Sequence, residues 1–477
     1  EWIKQNPFLV GVNWTSSLES GIRLINWVIC WHLIGKSIDT ELKKMWLDSI
    51  YQHCWFIYRN MSGYSSANNH LIGEVAGLFA ASTALPQFDM SSVWREKAFS
   101  VLVKECLKQN FVDGVNKEQA VSYQQFVLDF FIIGAMVGKA NKVEFPKEYW
   151  DRIEKMMEYL AAIEDADGNI PQIGDEDDGY VVDLGQREYG VYRSLLNTGA
   201  FIFKRDDFFK RGVKLDDKSR LILNIGGFST EAKNFTKKDV PLKFSEGGYY
   251  ILGKDFDGDR EQKLIFDCGP LGYLSLAAHG HADSLSFFFS AGGCPIFIDP
   301  GTYAYHANKV WRNYFRGTSA HNTLSVDNTN QSEIAGNFMW SKKAESVLLE
   351  YTESVSIKGK HNGYLRLDDG VEHTREIRFD NDKNRWSIID SLACNKDHEI
   401  SVYFHLHPSL RCEVDNNVIH INFEKGICHL DFEKGFELKI CKGEENPILG
   451  WYSASYDVKI PTETIVLKKN INGSTQI

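Results

Sequence analysis

Apolar residues recur at helical spacing up to about residue 205, in the segments 17–34, 40–60, 70–82, 91–109, 118–138 and 149–162. Each segment keeps one polar face, too polar for a simple bundle core. Successive helices of this kind, joined by short loops, predict stacked helix pairs or an α/α toroid. Past residue 215 the period changes. Short β-rich runs at 220–225, 249–252, 263–266, 285–290, 295–299, 322–326, 354–359, 371–379, 386–392, 400–407 and 418–423 are separated by Gly, Asn and Asp turns. They predict an antiparallel β half, built as one large stacked sheet or as two sandwiches divided near 380–400. The charged stretch 204–218 reads as a solvated connector between the halves.

Composition alters this picture little, and charge alters it more. A chain of 477 residues exceeds one hydrophobic core, so two or three domains are expected. Hydrophobic residues are 43% and charged residues 25%, ordinary for a globular protein. Aromatics reach 13%, enough to fill cores and still leave rings on which sugars stack. The net charge of -11 argues against nucleic acid, whose phosphates demand a basic surface. An anionic polysaccharide meets the same global repulsion and requires a locally basic or metal-bearing cleft. Nine cysteines, at 30, 54, 106, 268, 294, 394, 412, 428 and 441, include no CxxC pair. They argue against a disulfide framework and a cysteine zinc cluster, and predict mostly buried thiols. No apolar run reads as a membrane span. The chain opens on Glu1 rather than Met, so the absence of a signal segment is silent about localisation.

Three constellations and one acidic loop could carry chemistry. His279-Gly280-His281-Ala282-Asp283 is followed by Asp299-Pro300-Gly301 and then by His321-Asn322. In an extended segment His279 and His281 point to one side, and the Gly292-Gly293 turn sends the chain back so that Asp299 can return toward them, given a bend at Gly280. Two imidazoles and a carboxylate suit zinc with an open fourth position, although an isolated HxH arises by chance among fourteen histidines. The second constellation, Asn68-Asn69-His70 with Glu74, opens an apolar helix. His70 and Glu74 are i,i+4 neighbours and Asn68 is a natural cap; capping plus a surface ion pair explains these residues as well as substrate contact does. The third, Glu118-Gln119 with Tyr123, offers a phenol that needs a nearby cation to act as a base, and beside Phe126 and Phe130 it is equally a core residue. The acidic loop 174–179, with Asp175 and Asp177, reads as a solvated or interface loop, or as calcium ligands short of an EF-hand.

Taken in order, these segments resemble the heparinase II/III superfamily of polysaccharide lyases. The likeness is carried by Asn6-Pro7 with Trp14, Glu19, Arg23 and Trp27, by Asn69-His70, by Glu118-Gln119 with Tyr123, by the 174–179 loop, by His279 through Asp283, by Asp299 through Tyr303, and by Trp311 through Arg316 leading to His321-Asn322. The resemblance implies a multidomain α+β protein. It places an incomplete α/α toroid at 1–210, shortened at its start, an antiparallel β domain with the metal site at 211–390, and a C-terminal β-sandwich portion at 391–477, with the active site in a cleft between the helical and β regions. It further implies zinc at His281, Asp299 and His321. Catalytic positions are Tyr123, His279, Asn69, His70 and Tyr314, with Tyr303 and Tyr305 competing for the role of Tyr314. Glu74, Arg312 and Tyr303 are expected to contact substrate.

The chemistry so implied is β-elimination on a uronic-acid-containing anionic polysaccharide. Asn69, His70 or His279 stabilises the enolate-like intermediate, Tyr123 exchanges one proton, His279 or Tyr314 the other, and a periplasmic or secreted location is expected. Two rivals remain: a glycoside hydrolase using Asp175 and Asp177 or Glu74 as its carboxylate pair, and a capsule or exopolysaccharide protein that binds glycan without turnover.

Overall fold

Side-chain caps fix where the N-terminal helices begin. Ser16, Asp39 and Asn68 each accept a backbone N–H of the following turn, opening the helices Ser17–Ile34, Thr40–Arg59 and Asn69–Ala84. The helices Ser91–Gln109, Val121–Ala140, Lys147–Ile163, Val191–Phe203 and Asp217–Ile225 follow. A computed structural model describes residues 1–186, 190–210, 212 and 214–477. They form two compact units. One comprises Glu1–Gly114, Tyr123–Met157 and Gly179–Asp239, the other Val115–Ser122, Glu158–Asp178 and Val240–Ile477.

In the helical unit Ser17–Ile34 and Asn69–Ala84 cross at glycines. A Cβ on Gly21 would sit 2.4 Å from the Gly73 carbonyl oxygen, and one on Gly77 would sit 2.4 Å from that of Gly21. The helix Asn69–Ala84 is buried on nearly every face, which explains its apolar sequence. Val121–Ala140 is long and apolar enough by composition to cross a membrane, contrary to the expectation that no run qualifies. The most apolar window of this helix is nevertheless 89% buried inside the protein, as befits a core helix.

Two expectations are corrected in this unit. Residues 220–225 were expected as a strand from their Ile and Leu content and are helical: Asp216 caps Ser219, and Lys218, Ser219, Ile222 and Leu223 are buried along one helical face. The stretch 204–218 is not a solvated connector, since Arg205 is fully buried and paired with Asp207 and Glu154; its Arg211 and Val213 lie outside the described residues.

The second unit is antiparallel β. One five-stranded sheet begins at Lys243–Phe244 and ends at Cys294–Phe297; a second contains Ser356–His361, Glu372–Asp380 and Arg385–Ala393. A four-stranded sheet runs Glu437–Lys442, Glu463–Asn472, Asp397–His405 and Leu324–Val326, and a three-stranded sheet holds Arg411–Asp415, Val418–Phe423 and Gly426–Asp431. Strict alternation of buried and part-buried residues in Ser356–His361 shows the period-two pattern at work. Phe266, Phe287, Ile377, Ile400, Ile421 and Ile465, from all four sheets, share one core. Residue 390 lies inside the strand Arg385–Ala393, and pairing links residues on either side of it: Val326 faces Ile400, and Phe297 faces Leu406.

Candidate active site

The acidic loop organises the second unit's polar interior. Gly174 adopts φ +69, and a Cβ there would meet the Gln119 carbonyl oxygen at 2.5 Å, so only glycine carries the chain past that carbonyl and into the turn. The next residue, Asp175, is fully buried. Its N–H donates to the His279 carbonyl at 2.9 Å. Its carboxylate receives Arg312 through both terminal nitrogens, Nη2 to Oδ2 at 2.7 Å and Nη1 to Oδ1. Oδ2 also lies 3.1 Å from His279 Nδ1, and Oδ1 lies 3.0 Å from His281 Nε2. Burial alone would raise the pKa of this acid. Arg312 and the two imidazoles outweigh burial and hold it well below the usual carboxylate range.

An ionised Asp175 determines the tautomers of its neighbours, since each nitrogen facing it must carry a proton. For His279 that leaves Nε2 turned to Glu118, 3.6 Å from Oε2. The arrangement therefore leaves Nε2, on the far side of an oriented imidazole, as the nitrogen open to proton exchange. Gly280 permits both histidines to face one carboxylate: a Cβ there would fall 1.5 Å from the Leu271 carbonyl oxygen. The backbone packed against this glycine leaves no room for any side chain.

His281, Asp299 and His321 are all buried, with ligand-capable atoms within 4.8 Å of one another. Burial, chiefly, brings the His281 pKa down to about 4, so its ring is neutral. Among the described residues its Nδ1 has no hydrogen-bond partner, and neither has His321 Nε2; the other His321 nitrogen lies 2.9 Å from Asp299 Oδ2. Burial, with repulsion from Asp299, pushes the neighbouring Asp267 up to about 7, and burial with repulsion from Asp267 and Asp299 pushes Asp283 well above the carboxylate range. Orphaned imidazole nitrogens in a carboxylate-rich interior fit a divalent cation.

The remaining expected residues fall into two groups. Asn69 is buried and His70 exposed at the start of the helix Asn69–Ala84, and Tyr123, 5% exposed, is in the first turn of Val121–Ala140; all three belong to the helical unit. Glu74, expected at the substrate, is fully buried, and its two oxygens accept the Ser62 N–H at 2.7 Å and the Ser62 hydroxyl at 2.6 Å. Through Ser62 it holds the loop ahead of Asn69. Arg312, also expected at the substrate, binds Asp175 and the Asn337 carbonyl, the latter at 2.9 Å. Tyr314 is packed with Phe315, Tyr403 and Cys441. Burial pushes its phenol well up, which keeps it protonated and removes it as a base. Tyr303 packs on Trp311 and Phe315 beneath the Lys459 ammonium. Of the competing tyrosines, Tyr305 is the one beside His279, with ring centres 6.4 Å apart.

Asp175 and Gln119 stand in the sequence motifs without an expected role at the lyase site. Gln119 has φ +58, and both polar atoms of its buried amide lack a hydrogen-bond partner among the described residues, the kind of strain and unmet hydrogen bonding that gathers at functional positions. Its place next to Glu118 in the motif was the only available sign.

The buried Glu74 carboxyl gives a testable pH dependence. Burial raises its pKa from 4.5 to about 7 against the opposing Ser62 hydrogen bonds. A raised carboxyl favours folding fully below its unfolded value, and that contribution is lost as pH rises through the folded one. Wild type is expected to lose stability relative to Glu74→Gln between pH 4.5 and about 7, read from denaturant midpoints across that window. Parallel curves for the two proteins would show that Glu74 is not the titrating group.

Two family models match the chain: Heparinase II/III N-terminus over residues 1–190, and Heparinase II/III-like, C-terminal over residues 237–477. A heparin-sulfate lyase of Bacteroides thetaiotaomicron is 23% identical over 375 residues, covering 76% of this chain and 50% of the relative. A protein of the same name from Pedobacter heparinus is 25% identical over 351 residues, covering 72% and 47%. The chain thus spans about half the length of these relatives. A crystal structure of heparinase III matches with TM-score 0.75 at 18% identity over 100% of this chain and 70% of that one. That of a heparan sulfate lyase from Pedobacter heparinus matches with TM-score 0.65 at 20% identity, with coverages of 100% and 70%. At such identities these structures speak for the fold.

Proposed function

Because the chain belongs to the heparinase II/III family, we propose that it is a polysaccharide lyase. It cleaves a uronic-acid-containing anionic polysaccharide, of the heparan sulfate class for which its relatives are named, by β-elimination. The helical unit is read as an incomplete α/α toroid and the second unit as sandwich layers.

The observation that carries this reading is the buried Asp175 carboxylate orienting His279, whose other nitrogen faces Glu118. Elimination needs two proton movements and a neutralised C6 carboxylate, which makes the C5 proton removable. In this reading Asn69 and His70 neutralise the carboxylate. Tyr123 exchanges a proton with C5 or with the departing C4 oxygen, and His279 moves the other. Its oriented ring suits that step better than the buried phenol of Tyr314. His281, Asp299 and His321 would hold zinc, which when bound would add fixed positive charge and tie separate strand ends together.

The hydrolase reading loses its carboxylates, since Asp175 is engaged by Arg312 and two histidines and Glu74 by Ser62. A substrate outside the cytoplasm is the basis for proposing a periplasmic or secreted location. The test is to incubate the protein with heparan sulfate and other uronate polysaccharides and follow ultraviolet absorbance from the unsaturated uronate end. New reducing ends without that absorbance would establish hydrolysis, and tight binding with neither would establish a non-catalytic protein.

Zinc has its own test. The His281→Ala, Asp299→Ala double variant is expected to lose about one zinc per chain by elemental analysis. Metal removal from wild type should lower its melting temperature, because the ligands come from separate segments. Full zinc retention in the double variant would place the metal elsewhere.

A further inference from the structure

A second group of metal-ligating side chains lies in the β unit, formed by Asp369, Cys394 and His398. Their ligand-capable atoms are within 4.8 Å of one another, and Cys394 and His398 are buried. Cys394 follows the strand Arg385–Ala393 and His398 is in the strand Asp397–His405, so a single turn presents a Cys-x3-His pair. Asp369 comes from the loop ahead of the strand Glu372–Asp380.

We propose that these three residues bind a divalent transition metal of the zinc class, independently of the group formed by His281, Asp299 and His321. Each donor is already held in place. Asp327 Oδ2 lies 2.7 Å from His398 Nδ1 and Asp327 Oδ1 accepts the Glu399 N–H at 3.0 Å, which orients the imidazole with Nε2 toward Asp369 at 3.3 Å. A carboxylate on the far nitrogen is the usual support for a ligating histidine. Asp327 and Asn328, with φ +50 and +52, are the centre of the tight turn closed by the Thr329 N–H on the Val326 carbonyl, and that turn brings Asp327 to His398. The Asp369 carboxylate is fixed by the N–H groups of Asn395 and Lys396, both at 2.7 Å. Two carboxylates and a thiol surround one imidazole, an excess of negative charge that a dication balances. On binding, the Cys394 thiol and His398 Nε2 each give a proton to solvent, and the thiolate sulfur and the freed Nε2 bond the metal. A mixed sulfur, nitrogen and oxygen set selects zinc-like ions over calcium or magnesium. The metal is structural: it ties the turn joining two sheets to the Asp369 loop.

Cobalt(II) loading of the full chain, kept reduced, decides the matter, because thiolate-to-cobalt charge transfer absorbs in the near ultraviolet and the first group contains no sulfur. The band is expected in wild type and in His281→Ala and is expected to vanish in Cys394→Ser, with zinc content falling by about one per chain. If Cys394→Ser does not fold, His398→Gln is read in the same way. A folded, cobalt-loaded wild type without the band, or a band unchanged in the variant, overturns the proposal and leaves His398 as an imidazolium bridging Asp327 and Asp369.

Discussion

Replacement of Tyr123 by Phe is expected to lower kcat by roughly 100-fold or more, the scale of a lost general acid or base, while the protein stays folded. The side chain is 5% exposed in the first turn of Val121–Ala140, and the substitution removes one oxygen while keeping the ring. A tyrosine that only packs would lose at most about 1 kcal/mol, the worth of a hydrogen bond, with little effect on turnover. Oligosaccharide binding should survive, because Asn69 and His70 are untouched. The measurement is kcat on a substrate that wild type cleaves, with melting curves to show that the variant is folded. Near-wild-type kcat would remove Tyr123 from the mechanism and shift the proton transfers to His279 and its neighbours.

The largest effect on stability should come from Asp175→Asn. Arg312 has no exposed side-chain surface, and Asp175 is the carboxylate that receives both of its terminal nitrogens. Neutralising that partner takes the bidentate counter-charge from a buried guanidinium and loosens the hold on His279 and His281. A loss of about 3–5 kcal/mol is expected from denaturant unfolding of the variant, and the double variant with Arg312→Met should lose less than the sum of the two singles. A loss under about 1 kcal/mol, as for a solvated acidic pair, would contradict the network.

That the same aspartate reads from the sequence as part of a solvated loop shows where one-dimensional reasoning stops. The helices Ser17–Ile34 and Ser91–Gln109 are legible to the residue because helical periodicity is local. The helix Asp217–Ile225 is misread because a short run of Ile and Leu fits either period, and the deciding Asp216 cap and buried face need the packed chain. Strands are legible one by one, but not their partners: nothing local to Leu324–Val326 announces Asp397–His405. At the site, His279, His281, Asp299 and His321 stand out by spacing and residue type. The roles of Asp175, Arg312 and Glu74 depend on which charges meet in the interior, and Arg312 and Glu74 were accordingly expected at the substrate. An acidic run looks the same on paper whether water or a guanidinium faces it.

The shared core of the four sheets also governs when this protein can acquire its shape. Glu463–Asn472 pairs with Asp397–His405 on one side and Glu437–Lys442 on the other, and Thr475–Gln476 closes onto Arg385–Ala393. Residues 115–122 and 158–178 also belong to this unit, so segments made early must wait for partners made hundreds of residues later. During synthesis the ribosome has to release residues beyond 463 before Ile400 and its neighbours can be covered. Until then the nascent chain displays unpaired strand edges and bare apolar side chains, which is the state that chaperones bind and that aggregates.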